Sequence, residues 1–293
     1  MRQIIDSAEI HRRIEAAPLL SSSASRLLQV TSDPEHSLGE VVDIVKTDAA
    51  LTARILRVVN SAAFGLLNTI TSIDRATSYL GERMIIGIAI DICASQLFDK
   101  PLTGYEAERG ELWRHDLRVA IASREIARLA PQEMAVDLAF TGGILHDIGK
   151  SILSEFLAGT APVVLETIER GDARDYLSAE RAMLGIDHAM AGFELARKWN
   201  LPTALQQVIR HHHRPAEAEE SYRPLVYAVH LGDIVAMMGG GGTGSDTLQY
   251  HMDPGYAQYL EITPEQLTMT LLHVEEEFAK MEASLLDGKD GGA

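Results

Sequence analysis

Helical periodicity runs through this chain from end to end, and it restricts the fold more than any other feature. Apolar residues recur three and four positions apart in one segment after another, while the alternating runs that mark strands are almost absent. Ser37-x-x-Glu40 has the spacing of a capping box that opens a helix to about Lys46. Asp48 reads as the N-cap of a helix over 49–59, which turns Leu51, Ile55, Val58 and Val59 to one side. Ser72 is placed to cap a helix over 73–80, and Gly81 stops it. The segment 82–98 is apolar nearly all round, the pattern of a helix buried between others. Further helices are predicted over 106–130, 133–145, 180–184, 189–199, 203–212 and 223–238, with 152–157 continuing an apolar face. The Glu-rich tail 264–286 reads as an amphipathic helix, and the last residues, GKDGGA, are expected to fray. The fold expected is all-α.

The best lobe boundary is Lys100-Pro101-Leu102-Thr103-Gly104, which divides a two-lobed helical bundle into an N-terminal lobe (1–103) and a second lobe (104–240). The remainder, 241–293, reads as linker and C-terminal helix. The run Gly239–Gly242 with Thr243-Gly244-Ser245 is flexible by composition.

A net charge of -16 argues against nucleic acid as a partner, because phosphate binding needs clustered Lys and Arg. A single cysteine, Cys93, excludes an intramolecular disulfide and suits a reducing compartment. The first twenty residues carry charges throughout, so no secretory signal is expected. The most apolar run, 84–92, contains Asp91 and is too short to span a bilayer. A cytoplasmic protein without a membrane segment is the expectation, with input arriving from a separate protein or a small molecule.

Chemistry concentrates in the second half. In GGILHDIGK (142–150), His146 and Asp147 follow an apolar run, and adjacent side chains leave a helix roughly 100° apart. That divergence suits two cations, or a cation and its water, better than one closed tetrahedral site. Glu111 and His115 stand four apart on one helix face. His188, the run His211-His212-His213 and Asp233 follow. Imidazole with carboxylate is the ligand mixture that holds Zn, Mn or Fe. A pair of such cations acidifies water and clamps the oxygens of a phosphate ester, and Lys150, one turn past His146, is placed to meet a phosphate oxygen. Taken singly, each residue has a plainer reading: a solvated helix pair for Glu111 and His115, a capping turn for His188, an exposed helix end for the three histidines, a satisfied buried polar group for Asp233.

Taken together, the order resembles the HD superfamily of metal-dependent phosphohydrolases, with His115, His146-Asp147 and Asp233 in its H…HD…D pattern. The resemblance is closer to the HDOD family, the HD-related output domains of bacterial signalling, and runs from about Pro18 to Met238. It is carried by DAALTARILRVVNSAAFG (48–65), SIDRATSYLG (72–81), LWRHDLRVA (112–120), GGILHDIGK, LGIDHAMAGFELARKWNLP (184–202) and RHHHRP (210–215). It implies an HD-type five-helix core in the second lobe and a regulatory role exerted through a signalling protein partner. Glu111, His115, His146, Asp147, His188, His212, His213 and Asp233 also resemble the ligand order of the HD-GYP cyclic-di-GMP phosphodiesterases. His212-His213 is preferred to His211-His212 from the position of Pro215. After His213 comes Arg214-Pro215-Ala216, with no Gly-Tyr-Pro loop.

The expectation is therefore a signalling output protein with a mono- or dinuclear site for a divalent metal (Fe, Mn or Zn). The alternative is an active phosphohydrolase on a nucleotide or cyclic dinucleotide, with Asp147 and Lys150 as catalytic residues. A third reading is a helical scaffold whose histidines form a hydrogen-bonded core network. In the N-terminal lobe, Asp48, Arg54, Arg57, Asn60 and Ser61 are read either as a polar surface for a partner or as helix caps and local ion pairs.

Overall fold

A computed structural model describes residues 7–290 apart from 34, 61–63, 65, 67, 68, 99 and 133; the side chains of 7, 83, 91–96 and 284–290 are not described. Ser61 and residues 291–293 lie outside the described residues, while 288–290, expected to fray, continue the C-terminal helix. The chain is all-helical. Among the described residues the one extended pairing is an isolated antiparallel bridge between Leu102 and Ala107.

The N-terminal lobe contains α2 (Ser22–Val30), α3 (Leu38–Lys46), α4 (Ala49–Val59), α5 (Ile73–Leu80) and α6 (Glu82–Phe98). Local chemistry sets their starts. Ser37 caps α3 in a capping box, its hydroxyl accepting from Glu40 N at 3.3 Å while the Glu40 carboxylate accepts from Ser37 N at 2.8 Å. Asp48 accepts from Ala50 N and Leu51 N, both at 3.0 Å. Ser72 occupies the N-cap position of α5, but its hydroxyl turns aside to Asp74 and caps nothing. Leu51, Ile55, Val58 and Val59 are buried together, each contributing roughly 1.5–3 kcal/mol on leaving water.

The second lobe is organised around α7 (Glu111–Leu129), α8 (Val136–Leu145), α12 (His188–Lys198), α13 (Thr203–His211) and α14 (Arg223–Met238). These five pack on one another as an HD-like core. Shorter α9 (Lys150–Leu153), α10 (Ala161–Glu169) and α11 (Tyr176–Leu184) close one side. α1 (Ser7–Ala16) has its main packing partners in this lobe, on α9 and α12, although it precedes the N-terminal one. α15 (Pro264–Asp290) lies along α7, where its Glu275, Glu277 and Glu282 meet Arg118, Arg124 and Arg114.

Two further sequence expectations change. The helix expected over 106–130 starts only at Glu111: Glu106 has φ 57° and Gly110 φ 82°, left-handed conformations that break a right-handed helix, and the Leu102–Ala107 bridge closes the turn between. The glycine-rich run after α14 is packed rather than free, with Thr243 and Asp246 buried and the carbonyl of Gly241 held by His115. No single described helix is long and apolar enough to cross a membrane. One bent pair, 136–157 with 161–169, passes on length and composition alone, and its first helix is a buried element of the five-helix core.

Candidate metal centre

The cluster forms where five helices converge. His115 comes from α7 and the His146-Asp147 pair from the turn after α8. His188 opens α12, His212 and His213 follow directly on α13, and Asp233 sits within α14. Glycines allow the close crossings. A Cβ on Gly143 would stand 2.5 Å from Ala120 Cα on α7, and one on Gly149 would stand 1.9 Å from the carbonyl oxygen of His188. The glycines of GGILHDIGK thus bring the His-Asp pair against α7 and α12 at backbone contact.

Four imidazoles are held from behind. Nδ1 of His115 donates to Gly241 O (2.5 Å), that of His146 to Gly143 O (2.8 Å), that of His212 to Ile209 O (3.0 Å) and that of His188 to the Glu180 carboxylate (2.8 Å). Such bonds fix the ring and tautomer so that Nε2 presents its lone pair inward. Glu180 is itself fixed by Tyr105 Oη (2.6 Å) and His188 N (2.8 Å). Asp187 caps α12 by accepting from Met190 N and pairs with Arg181, which sets His188 at the first turn.

The inward atoms converge on Asp147 and Asp233. His188 Nε2 and His212 Nε2 stand 3.4 and 3.5 Å from Asp147 Oδ1, and His115 Nε2 and His146 Nε2 each 3.5 Å from Asp147 Oδ2. Asp233 Oδ1 is 3.2 Å from His115 Nε2, and His213 Nε2 is 3.1 Å from His188 Nε2. Ligands about 2.1 Å from a shared cation lie roughly 3.0–3.4 Å apart along the edges of an octahedron or tetrahedron. The buried Nε2 atoms of His115, His146 and His212, Asp147 Oδ1, Asp233 Oδ2 and His213 Nδ1 have no hydrogen-bond partner. Buried polar atoms are normally paired, so this many facing one point fit a cation. Two groups of candidate ligands share Asp147: Asp147, His188, His212 and His213, and His115, Asp116, His146 and Asp147; Asp233 lies beside them.

Burial pushes His146 down to about 3, so its imidazole is neutral across the physiological range. Asp147 is held well below the usual carboxylate range: burial opposes ionisation, but the Lys150 ammonium 2.6 Å away, with His212 and His188, outweighs it. Asp116 goes the opposite way, driven well up by burial and by the charge of Asp147. Lys150 is buried yet held above its ordinary value by Asp147 (2.6 Å) and Asp246 (2.5 Å).

The structure thus brings together His115, His146, Asp147, His188, His212, His213, Asp233 and, beside them, Lys150. Glu111 lies elsewhere in its interactions: its carboxylate accepts from Glu108 N at 2.7 Å, at the start of α7. His211 is outside both groups. Asp116 and the supporting Glu180, Asp246, Thr243 and Tyr250 were not singled out from sequence. Asp116 carried a visible signal, since with His115 it makes a second His-Asp pair; a lone Glu on an apolar helix and an Asp in a glycine-rich run carry none. In the other lobe, Asn60 is a strut. Its side chain exchanges two 2.7 Å bonds with the backbone of Ile70 and donates to Leu56 O.

Residues 17–215 match the family profile of the HDOD domain. An uncharacterized protein of Treponema pallidum (strain Nichols) is 26% identical over 230 residues; these make up 78% of this chain and 44% of the relative, so the chain spans less than half of that protein's length. An HDOD domain protein of unknown function from Geobacter sulfurreducens has the same fold, with a TM-score of 0.69 at 21% identity over 95% of both chains. A protein from Marinobacter aquaeolei VT8 provisionally assigned to signal transduction gives 0.76 at 18% identity, over 99% of this chain and 68% of that one. A provisionally assigned phosphohydrolase from Shewanella amazonensis SB2B gives 0.57 at 24% identity, over 96% and 97%.

Proposed function

The chain belongs to the HDOD family, and from that premise we propose that it is a bacterial signal-transduction output protein whose second lobe is built on a two-cation centre. The observation that carries the centre is the convergence of unpartnered buried nitrogens and oxygens on Asp147, in two groups that share this carboxylate. His115, His146, Asp147 and Asp116 would hold one cation, and Asp147, His188, His212 and His213 the other, with Asp233 beside both. The mixed nitrogen and oxygen set suits Fe, Mn or Zn. Bound there, the cations act as Lewis acids on water and phosphate oxygens. Every one of these side chains is at most 4% exposed, so in this conformation the centre supports the fold and the output passes through the surface to a protein partner.

A second reading, metal-dependent phosphohydrolase activity, is favoured by Lys150. An ammonium group 2.6 Å from the shared carboxylate is a suitable anchor for a phosphoryl group. The Marinobacter and Shewanella proteins, provisionally assigned to signalling and to hydrolysis, add a prior to each reading and no more.

Metal analysis of protein purified without chelator or His tag is the test. Between one and two equivalents of Fe, Mn or Zn per chain are expected. Asp147→Asn should fall below about half an equivalent with its helical circular dichroism intact, because it removes the ligand that both groups share. A wild-type chain with less than about half an equivalent would sink the cation centre. Turnover of nucleotides, cyclic dinucleotides or model phosphodiesters by the loaded protein, abolished in Asp147→Asn, would establish the hydrolase.

A further inference from the structure

The centre is covered by irregular chain, residues 239–253, which follows α14. This cover touches the site repeatedly. Gly241 O takes the His115 Nδ1 hydrogen, the Tyr250 ring stacks on His213 with centroids 3.8 Å apart, and Ser245 N donates to Tyr105 O at 2.6 Å. Within it, Asp246 is fully buried and turned toward Lys150. Asp246 Oδ2 lies 2.5 Å from Lys150 Nζ and accepts from Tyr250 Oη at 2.8 Å. Its Oδ1 accepts from Thr243 Oγ1 at 2.8 Å, and that hydroxyl oxygen accepts from Lys150 Nζ at 2.8 Å.

An ammonium group has three hydrogens to donate. Lys150 Nζ donates to Thr243 Oγ1 and forms close ion pairs with Asp147 (2.6 Å) and Asp246 (2.5 Å), so three oxygens already surround it. Two of those oxygens belong to the cover. While the cover is down the space around the ammonium is filled by these oxygens, and Lys150, Asp147 and Asp246 are too deeply buried for an anion to arrive.

We propose that Asp246 is an internal competitor for phosphate: its carboxylate occupies the anion position on Lys150, and a phosphate or phosphate ester binds only when segment 243–250 lifts it away. The inference rests on the cation centre described above, which supplies the remaining attraction for the anion. It makes the closed form the resting state. The regulated step is withdrawal of one carboxylate and the tyrosine and threonine that steady it, and the incoming ligand is a phosphoryl group, which carries more negative charge than the single carboxylate it replaces.

Inorganic phosphate titrated calorimetrically into the metal-loaded full chain tests this, with metal content measured on the same samples. Asp246→Asn keeps the shape and removes the competing charge, and should bind phosphate at least tenfold more tightly than wild type. Tyr250→Phe keeps the ring on His213 and removes one bond to Asp246, so it should shift affinity in the same direction by a smaller factor. In the wild type, saturating phosphate should speed hydrogen exchange at the backbone amides of 244–250. Equal phosphate affinity in all three proteins at equal metal content would overturn the inference and leave the cation centre standing. If Asp246→Asn does not fold, unchanged exchange at 244–250 in wild type would overturn it as well. Absence of metal from every preparation would overturn the cation centre and this inference with it.

Discussion

His36 brings pH into the N-terminal lobe. Its Nδ1 faces the carbonyl of Asp33 at 2.5 Å and its Nε2 faces Glu82 at 2.8 Å, so both ring nitrogens meet acceptors. Only the imidazolium can donate to both. Burial works against the charge, but the bonds to Glu82 and Asp33 outweigh it and raise His36 above its ordinary 6.5. A folded-state value above the unfolded one stabilises fully below about pH 6.5 and is lost as pH rises through the folded value. The stability difference between wild type and His36→Gln, read from denaturant midpoints, should be largest at pH 6, about 1 kcal/mol or less, and should shrink by pH 8.5. A difference that stays constant over that interval would remove His36 as the titrating group. At this scale the sequence was legible where residue type alone signals chemistry, as in the paired His146 and Asp147. It was not legible for Asp246, whose meaning comes entirely from Lys150, far away in the chain and adjacent in space.

Among the elements, the tightest crossing is that of the turn before α9 with the start of α12. A Cβ on Gly149 would meet the His188 carbonyl oxygen at 1.9 Å and Gly192 N at 2.6 Å, both backbone atoms of a helix that cannot yield alone. Gly149→Ala should therefore cost about 3 kcal/mol in urea denaturation, the upper range for overpacking, and should also release metal by displacing His188. Gly39→Ala is the control. Gly39 lies in α3, and an added Cβ meets nothing closer than Ser37 Oγ at 3.6 Å, so alanine should stabilise by about 0.4–1 kcal/mol through the unfolded state. If both substitutions change stability equally, the close crossing is not what Gly149 supplies. Helix starts with an intrinsic signal, Ser37 and Asp48, were readable because their caps are local hydrogen bonds. The start of α7 was not, because it depends on left-handed Glu106 and on a bridge between Leu102 and Ala107 that no periodicity encodes.

For the molecule as a whole, the question is what holds the two lobes together. The sequence boundary at 100–104 marks where one run of helices ends, but α1 crosses it in space and rests on α9 and α12. The end of α1 leaves backbone carbonyls without helical partners. Lys198, in the last turn of α12, donates to three of the carbonyls there: Ile14 O at 3.1 Å, Ala17 O at 2.8 Å and Glu15 O. Trp199 Nε1 donates to Pro18 O at 2.9 Å immediately beyond. The Trp-Asn-Leu-Pro of 199–202 therefore begins with a residue whose polar edge fastens the chain entering α2, a role that its sequence did not reveal. Charged hydrogen bonds contribute about 1.5–3 kcal/mol, against about 1 for a neutral one. Lys198→Met keeps most of the apolar stem and should lose about 1.5–3 kcal/mol, with protease cleavage at 17–21 accelerated because that connection is released. Trp199→Phe, which gives up one neutral bond and part of the ring, should leave that cleavage slower than in Lys198→Met. A Lys198→Met protein within about 0.5 kcal/mol of wild type and equally resistant at 17–21 would show that apolar packing, and not the capped carbonyls, holds α1 and the chain entering α2 on the metal-centre lobe, since only the surface-level scatter of ordinary substitutions would then remain.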